Sequence, residues 1–243
     1  MDIEKLKLKF KEHVYKYDIN DNAIIRKFYH SYRVMDLCML LAKYNNFSYE
    51  NTEIAMLVGL LHDYARFEQW TKYKTYSDLK SVDHGSLAVE RLFDNKEILD
   101  YCDQTDYYDE IYDAIKYHNK ISIPDALSLH NKLLCKIVRD ADKLDIFYLF
   151  GINSDLQKED NSDIDEDVKN HFYNNESINR EIIKSKNDEI ILNLAMVFDL
   201  NFKYSLEYLK KYNLLDKMFQ NIKDKNKFKP YFDYVKKYID ERI

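Results

Sequence analysis

Glycine, proline and cysteine are all scarce in this chain of 243 residues, which holds three glycines (Gly59, Gly85, Gly151), two prolines (Pro124, Pro230) and three cysteines (Cys38, Cys102, Cys135). Sheet proteins join short strands through many Gly- and Pro-containing turns, so the first two shortages argue against a sandwich or barrel and for long helices. The cysteines are odd in number and widely spaced, which argues against a disulfide framework and against a thiolate zinc site; reduced, mostly buried thiols fit better. No window approaches the ~18 apolar residues of a membrane span, and the N-terminal MDIEKLKLKF lacks the apolar run of an export signal. A cytoplasmic protein without membrane contact is the expectation. A basic block is missing too: the net charge is −6, with Lys and Arg dispersed among Asp and Glu, so no nucleic acid polymer is expected as partner.

What is present is helical periodicity. Ile3, Leu6, Phe10 and Val14 share one face, and from Asn22 to about Tyr44 apolar residues recur with a period near 3.6, with Asn20 or Asp21 available as N-cap. Ser48 can cap the next segment, which is apolar on nearly all sides through EIAMLVGLL and then runs straight into His62-Asp63. Further helices are expected at 84–94, 107–119, 125–149, 188–200, 203–223 and 230–242, with Gly151 ending the helix 125–149. The stretch NSDLQKEDNSDIDEDVKN reads as an exposed acidic loop or insertion. The fold class is therefore all-α: a bundle over 1–150 with an N-terminal helix, an acidic loop or insertion over 151–187, and C-terminal helices over 188–243 packing on the same domain.

Three placements point to chemistry. In LLHDYARFEQW an ionisable His62-Asp63 pair follows a buried helix; a divalent cation is one way to offset a buried carboxylate, and ordinary hydrogen bonds at a helix end are the alternative. In KIVRDADKLDIF, Leu134, Val138, Asp142, Asp145 and Leu149 share a face, so two carboxylates point with core leucines; Arg or Lys would be the alternative partner to a metal. His30 lies one turn before Val34 and Leu37, a placement that taken alone also fits a hydrogen-bonded core histidine. Imidazoles and carboxylates on separate inward helical faces suit Mn, Fe, Co, Ni or Zn.

At these residues the sequence resembles the HD-domain superfamily of metal-dependent phosphohydrolases, defined by a His, a later His-Asp pair and a later Asp. His30, His62-Asp63 and Asp142 match that pattern, and LLHDYARFEQW, SVDHGSLAVERLF, YHNK and VRDADKLDIF follow the order of an uncharacterised bacterial branch. The resemblance covers about residues 25–150, with MVFDLNFKYSLEYL extending it. It implies a helical bundle and hydrolysis of a nucleotide or small phosphate ester, with one or two divalent transition ions as cofactor. His84 and His118 fit the histidines with which some members hold a second metal; capping and core packing are their alternative roles. Asp63, Arg66 and Lys143 are the catalytic candidates. Arg66, one turn after His62, Lys143, beside Asp142, and Lys80 are the candidates for the substrate phosphate, with surface ion pairs as the alternative for each. Some members carry an acid where this chain has Arg66, so their general acid is not carried over. His13, His130 and His171 match no part of the pattern. Two other readings of the family remain open at this level: a di-iron oxygenase, and a nucleotide-binding protein without turnover.

Overall fold

The computed structural model describes residues 2–103 and 107–243. Among them no strand occurs, and the all-α class holds. The chain divides into two compact units, one up to Ala141 and one from Asp142 onward.

The first unit contains α1 (Ile3–Val14), α2 (Asn22–Tyr44), α3 (Tyr49–Leu61), α4 (Arg66–Tyr73), α5 (His84–Val89), α6 (Tyr108–Tyr117) and the first part of α7 (Leu129–Ile152). The expected caps are in place: the side chain of Asp21 accepts from Ala23 N at the start of α2, and that of Ser48 from Asn51 N at the start of α3. Leu6, Phe10 and Val14 of α1 are buried, with Phe10 stacked on Phe28 of α2. α2 and α3 form the most extensive helix pairing, and Ile54 to Leu61 are buried on every side of α3, as an apolar helix requires.

Glycine has a common use here. A Cβ on Gly59 would lie 2.8 Å from Cys38 Sγ and 2.9 Å from Met35 Cα, so its absence lets α3 approach α2. Gly85 lets α5 approach α6 in the same way, with Lys116 O 3.0 Å from the position of a Cβ. Helix ends fall instead to Asn and Lys: Asn46, Lys74 and Asn213 take positive φ where glycine is common.

The second unit continues α7 and adds α8 (Glu166–Tyr173), α9 (Lys186–Ala195), α10 (Lys203–Lys211), α11 (Leu214–Gln220) and α12 (Lys225–Asp240). Four expectations need correction. Gly151 does not end α7: it is helical, and its missing Cβ makes room for the Lys217 side chain 2.8 Å away. The acidic stretch contains α8, whose Val168 and Phe172 are buried, and its acids serve as caps: Asp165 accepts from Asp167 N, and Asp160 from Ser162 N and Lys186 N. The segment 203–223 is broken into α10 and α11 at Asn213, whose φ is 51°. Finally, α12 starts at Lys225 under the Asp224 cap, ahead of Pro230, because Phe228 is buried with the helix.

Candidate metal centre

α3 ends where its chemistry begins. His62 is the C-cap residue, and the chain then tightens through bonds from Tyr64 N to Leu61 O and from Arg66 N to Asp63 O before α4 starts. These bonds to the third residue back pull the turn out of helical register and set His62 and Asp63 side by side. His30 comes from the middle of α2, His84 is the first residue of α5, and His118 follows the last residue of α6. All five are buried: His30 and His62 fully, Asp63 2%, His84 3% and His118 4% exposed.

Asp63 stands between two pairs of histidines. Its Oδ2 lies 3.3 Å from His30 Nε2 and 3.4 Å from His62 Nε2. Its Oδ1 lies 3.4 Å from His84 Nε2 and 3.8 Å from His118 Nε2. Within the pairs, the Nε2 atoms of His30 and His62 are 3.3 Å apart and those of His84 and His118 only 2.9 Å. Gly59 and Gly85 lie at the two helix contacts behind these pairs.

The other ring nitrogens reveal what faces inward. His62 Nδ1 donates to Gly59 O at 2.8 Å, and His118 Nδ1 to Ile115 O at 2.7 Å; a carbonyl oxygen only accepts, so each proton is on Nδ1 and each Nε2 presents a lone pair. His84 Nδ1 lies 2.7 Å from Asp78 Oδ2, again an acceptor when ionised. Burial opposes ionisation of Asp78, but His84 and Arg66 hold its carboxyl well below the usual carboxylate range. Burial, with the Arg66 charge, lowers the His84 pKa, so its imidazole is neutral at pH 7 and able to ligate. His84 and His118 thus turn two lone pairs toward each other beside a carboxylate oxygen, an arrangement that a cation relieves. The donor set fits a divalent transition ion: His30, His62 and Asp63 form one group and Asp63, His84 and His118 another, each with its ligand atoms within 4.8 Å of one another.

Charge is balanced around the shared carboxylate. Burial alone would raise the Asp63 pKa; the Lys27 ammonium opposes it, and the carboxyl stays well below the ordinary value instead. Lys27 Nζ is 2.6 Å from Oδ2, and Arg66 Nε is 3.3 Å from Oδ1. Arg66 does not stand open toward a ligand as its spacing suggested: its Nη1 also donates to Gln69 Oε1 (2.6 Å), Tyr76 O (2.6 Å) and Asp78 Oδ1 (3.0 Å). The Tyr76 ring lies under both cations, 5.7 Å from Lys27 Nζ and 5.6 Å from Arg66 Cζ, and its hydroxyl is tied to Ala23 O of α2.

Lys80 is exposed in the short turn Asp78–Lys80. Lys143 pairs with Asp199 at 2.7 Å inside the second unit, of which Asp142 is the first residue. His13 packs against Tyr64, with its ring centroid 3.7 Å from that of Tyr64, and His171 bonds Glu176. Cys38 and Cys135 are buried, and none of the three cysteines is in a disulfide.

Four contributors escaped the sequence reading. Lys27 had a legible signal, since it lies three residues before His30 and so on the same side of α2. Asp78, Asn119 and Arg139 had none, because their partners are distant in sequence. Asn119 Nδ2 donates to Asp78 Oδ2 at 3.0 Å. Arg139 closes the end of α6 behind His118 by donating to Tyr117 O, Lys120 O and Ile121 O, which satisfies carbonyls at the negative end of that helix.

Comparison with curated proteins and with solved structures gives no match. Residues 28–146 match the family model of the HD domain, a span that contains His30, His62, Asp63, His84, His118 and Asp142. Histidine pairs gathered on a shared aspartate and a sequence match over the same residues lead to one conclusion: residues 28–146 form an HD domain, consistent with a member of the HD-domain superfamily.

Proposed function

We propose that this protein is a metal-dependent phosphohydrolase acting on a nucleotide or a small phosphate ester. The observation that carries the reading is the placing of two histidine pairs on the two oxygens of one buried, ionised carboxylate, Asp63. In this reading His30, His62 and Asp63 would hold one ion, and Asp63, His84 and His118 a second. The ion, one of Mn, Fe, Co, Ni or Zn, supplies a Lewis acid for a phosphoryl oxygen and acidifies water.

The residues of the chain do the rest. Lys27 keeps Asp63 ionised, Lys27 and Arg66 together fix the direction of its oxygens, and the Tyr76 ring lies beneath both cations. Lys27, 17% exposed, and Arg66, 13% exposed, are also the cations nearest to a phosphate entering beside Asp63, with Lys80 as a further candidate. Cysteines outside any disulfide suit a cytoplasmic location, and among the described residues no helix is long and apolar enough to cross a membrane.

The test is metal analysis of protein purified without chelator, followed by a panel of phosphate esters and nucleotides with Mn²⁺, Fe²⁺, Co²⁺ and Mg²⁺. Metal-dependent phosphate release from one class of ester supports the reading. The same pair of half-sites would serve a di-iron oxygenase, and turnover that requires O₂ and ferrous iron, with no phosphate released, would replace the hydrolase reading by that one.

A further inference from the structure

Asp78 lies outside every motif in the sequence, yet its carboxylate gathers donors from three separate segments. Oδ2 accepts from His84 Nδ1 at 2.7 Å and Asn119 Nδ2 at 3.0 Å. Oδ1 accepts from Arg66 Nη1 at 3.0 Å and Gln69 Nε2 at 2.9 Å. Four donors fill the acceptor sites of a carboxylate, and Gln69 is itself fully buried and bonded onward to Ser81 Oγ and Val82 O.

A difference between the histidines explains why such a brace is needed. His62 and His118 stand at the C-terminal ends of α3 and α6, where each Nδ1 finds the carbonyl three residues back, Gly59 O or Ile115 O. Helix geometry alone sets their tautomer. His84 is the first residue of α5 and has no helical carbonyl behind it, so a side chain must do the same work. Without an acceptor at Nδ1, the proton can move to Nε2 and point at Asp63 Oδ1, 3.4 Å away, occupying the lone pair that a cation would use. The same carboxylate holds Arg66, which in turn faces Oδ1 of Asp63.

We propose that Asp78 is a positioning residue that makes the Oδ1 side of Asp63 able to take a cation, by fixing the His84 tautomer and the place of Arg66. This rests on the two-ion reading above and adds an asymmetry to it. The His62 side is set by backbone, whereas the His84 side depends on one carboxylate from the segment between α4 and α5. Partners of this kind, behind a metal-binding histidine, change metal affinity by about 10- to 100-fold when removed.

Two measurements on Asp78→Ala test the proposal. The first is ¹⁵N NMR of histidine-labelled, metal-free protein: His84 should carry its proton on Nδ1 in the wild type and shift toward Nε2 in the variant, with His62 and His118 unchanged. The second is titration with Co²⁺ followed by its visible absorption, in which one equivalent should weaken by about 10- to 100-fold and the other hold. Asp78→Leu keeps the volume but can accept no hydrogen bond; it should shift the tautomer and weaken the same equivalent, and it stands in if the alanine variant does not fold. An unchanged His84 tautomer, or equal weakening of both equivalents, overturns the proposal. A wild type that binds no Co²⁺ would remove the two-ion reading instead, and the tautomer measurement would still decide the role of Asp78.

Discussion

Lys27 Nζ stands 2.6 Å from Asp63 Oδ2, the same oxygen that faces His30 and His62. A cation on the outer lone pair of a shared carboxylate withdraws charge from the ligand and offers a contact for an anionic substrate. Lys27→Met should therefore leave metal binding intact or tighter while lowering turnover by up to roughly 100-fold, in the range for loss of one aligned charged donor. Steady-state kinetics beside a Co²⁺ titration checks this. Full turnover in the variant would take Lys27 out of the reaction.

Arg66 meets four protein acceptors: Asp63, Gln69, Tyr76 O and Asp78. A lysine ammonium keeps the charge and cannot span that set. Arg66→Lys should lower stability by about 1–3 kcal/mol through buried acceptors left unpaired, and loosen metal on the His84 side. Thermal melting and metal content are the measurements. A raised KM with unchanged melting and metal would instead assign Arg66 mainly to the substrate phosphate.

The two glycines behind the histidine pairs predict separable defects. Gly59→Ala places a methyl group 2.9 Å from Met35 Cα, which side-chain motion cannot relieve, so about 1–3 kcal/mol of overpacking and a weakened His30–His62 side are expected. In Gly85→Ala the nearest atom is the end of the Asn119 side chain, at 2.6 Å, and that amide can swing aside. Its melting temperature should fall less, while the His84–His118 side weakens. Melting curves with Co²⁺ titration of both variants check the contrast; the same equivalent lost in both would refute it.

Much of this centre was legible because helical period and cap chemistry are local. Asp21 and Ser48 announce their helices, and the inward faces of His30, His84 and His118 follow from their apolar neighbours. Lys27 was within reach of the same reasoning. Asp78 was not, since its meaning arises only when the segment after α4 folds back on Arg66 and His84. Gly151 shows the limit of punctuation rules: in a chain with so few glycines, close helix contacts claim them and asparagine ends the helices. The acidic stretch misled for a related reason, because caps and solvated loops draw on the same residues, Asp and Asn.

His13 makes stability depend on pH away from the metal centre. Burial lowers its pKa from 6.5 to about 4, and only Nε2 has a partner, Tyr64 O. Because the folded value is the lower one, the unfolded chain binds more protons between about pH 4 and 6.5, so this contribution grows with pH across that window and is fully present above it. It amounts to at most roughly 3 kcal/mol. Urea unfolding of wild type and His13→Phe at pH 4.5 and 7.5 should show a smaller pH difference in the variant. An equal difference would remove His13 as the source.

The metal stoichiometry of Asp63→Ala beside the wild type tests the central claim most directly, because one carboxylate is assigned to both halves of the centre. The wild type titrated with Co²⁺ should saturate at two ions per chain and His118→Ala near one, while Asp63→Ala, folded by circular dichroism, should retain almost none. Stoichiometric metal in both Asp63→Ala and His62→Ala, or a wild type that binds none, would contradict the account.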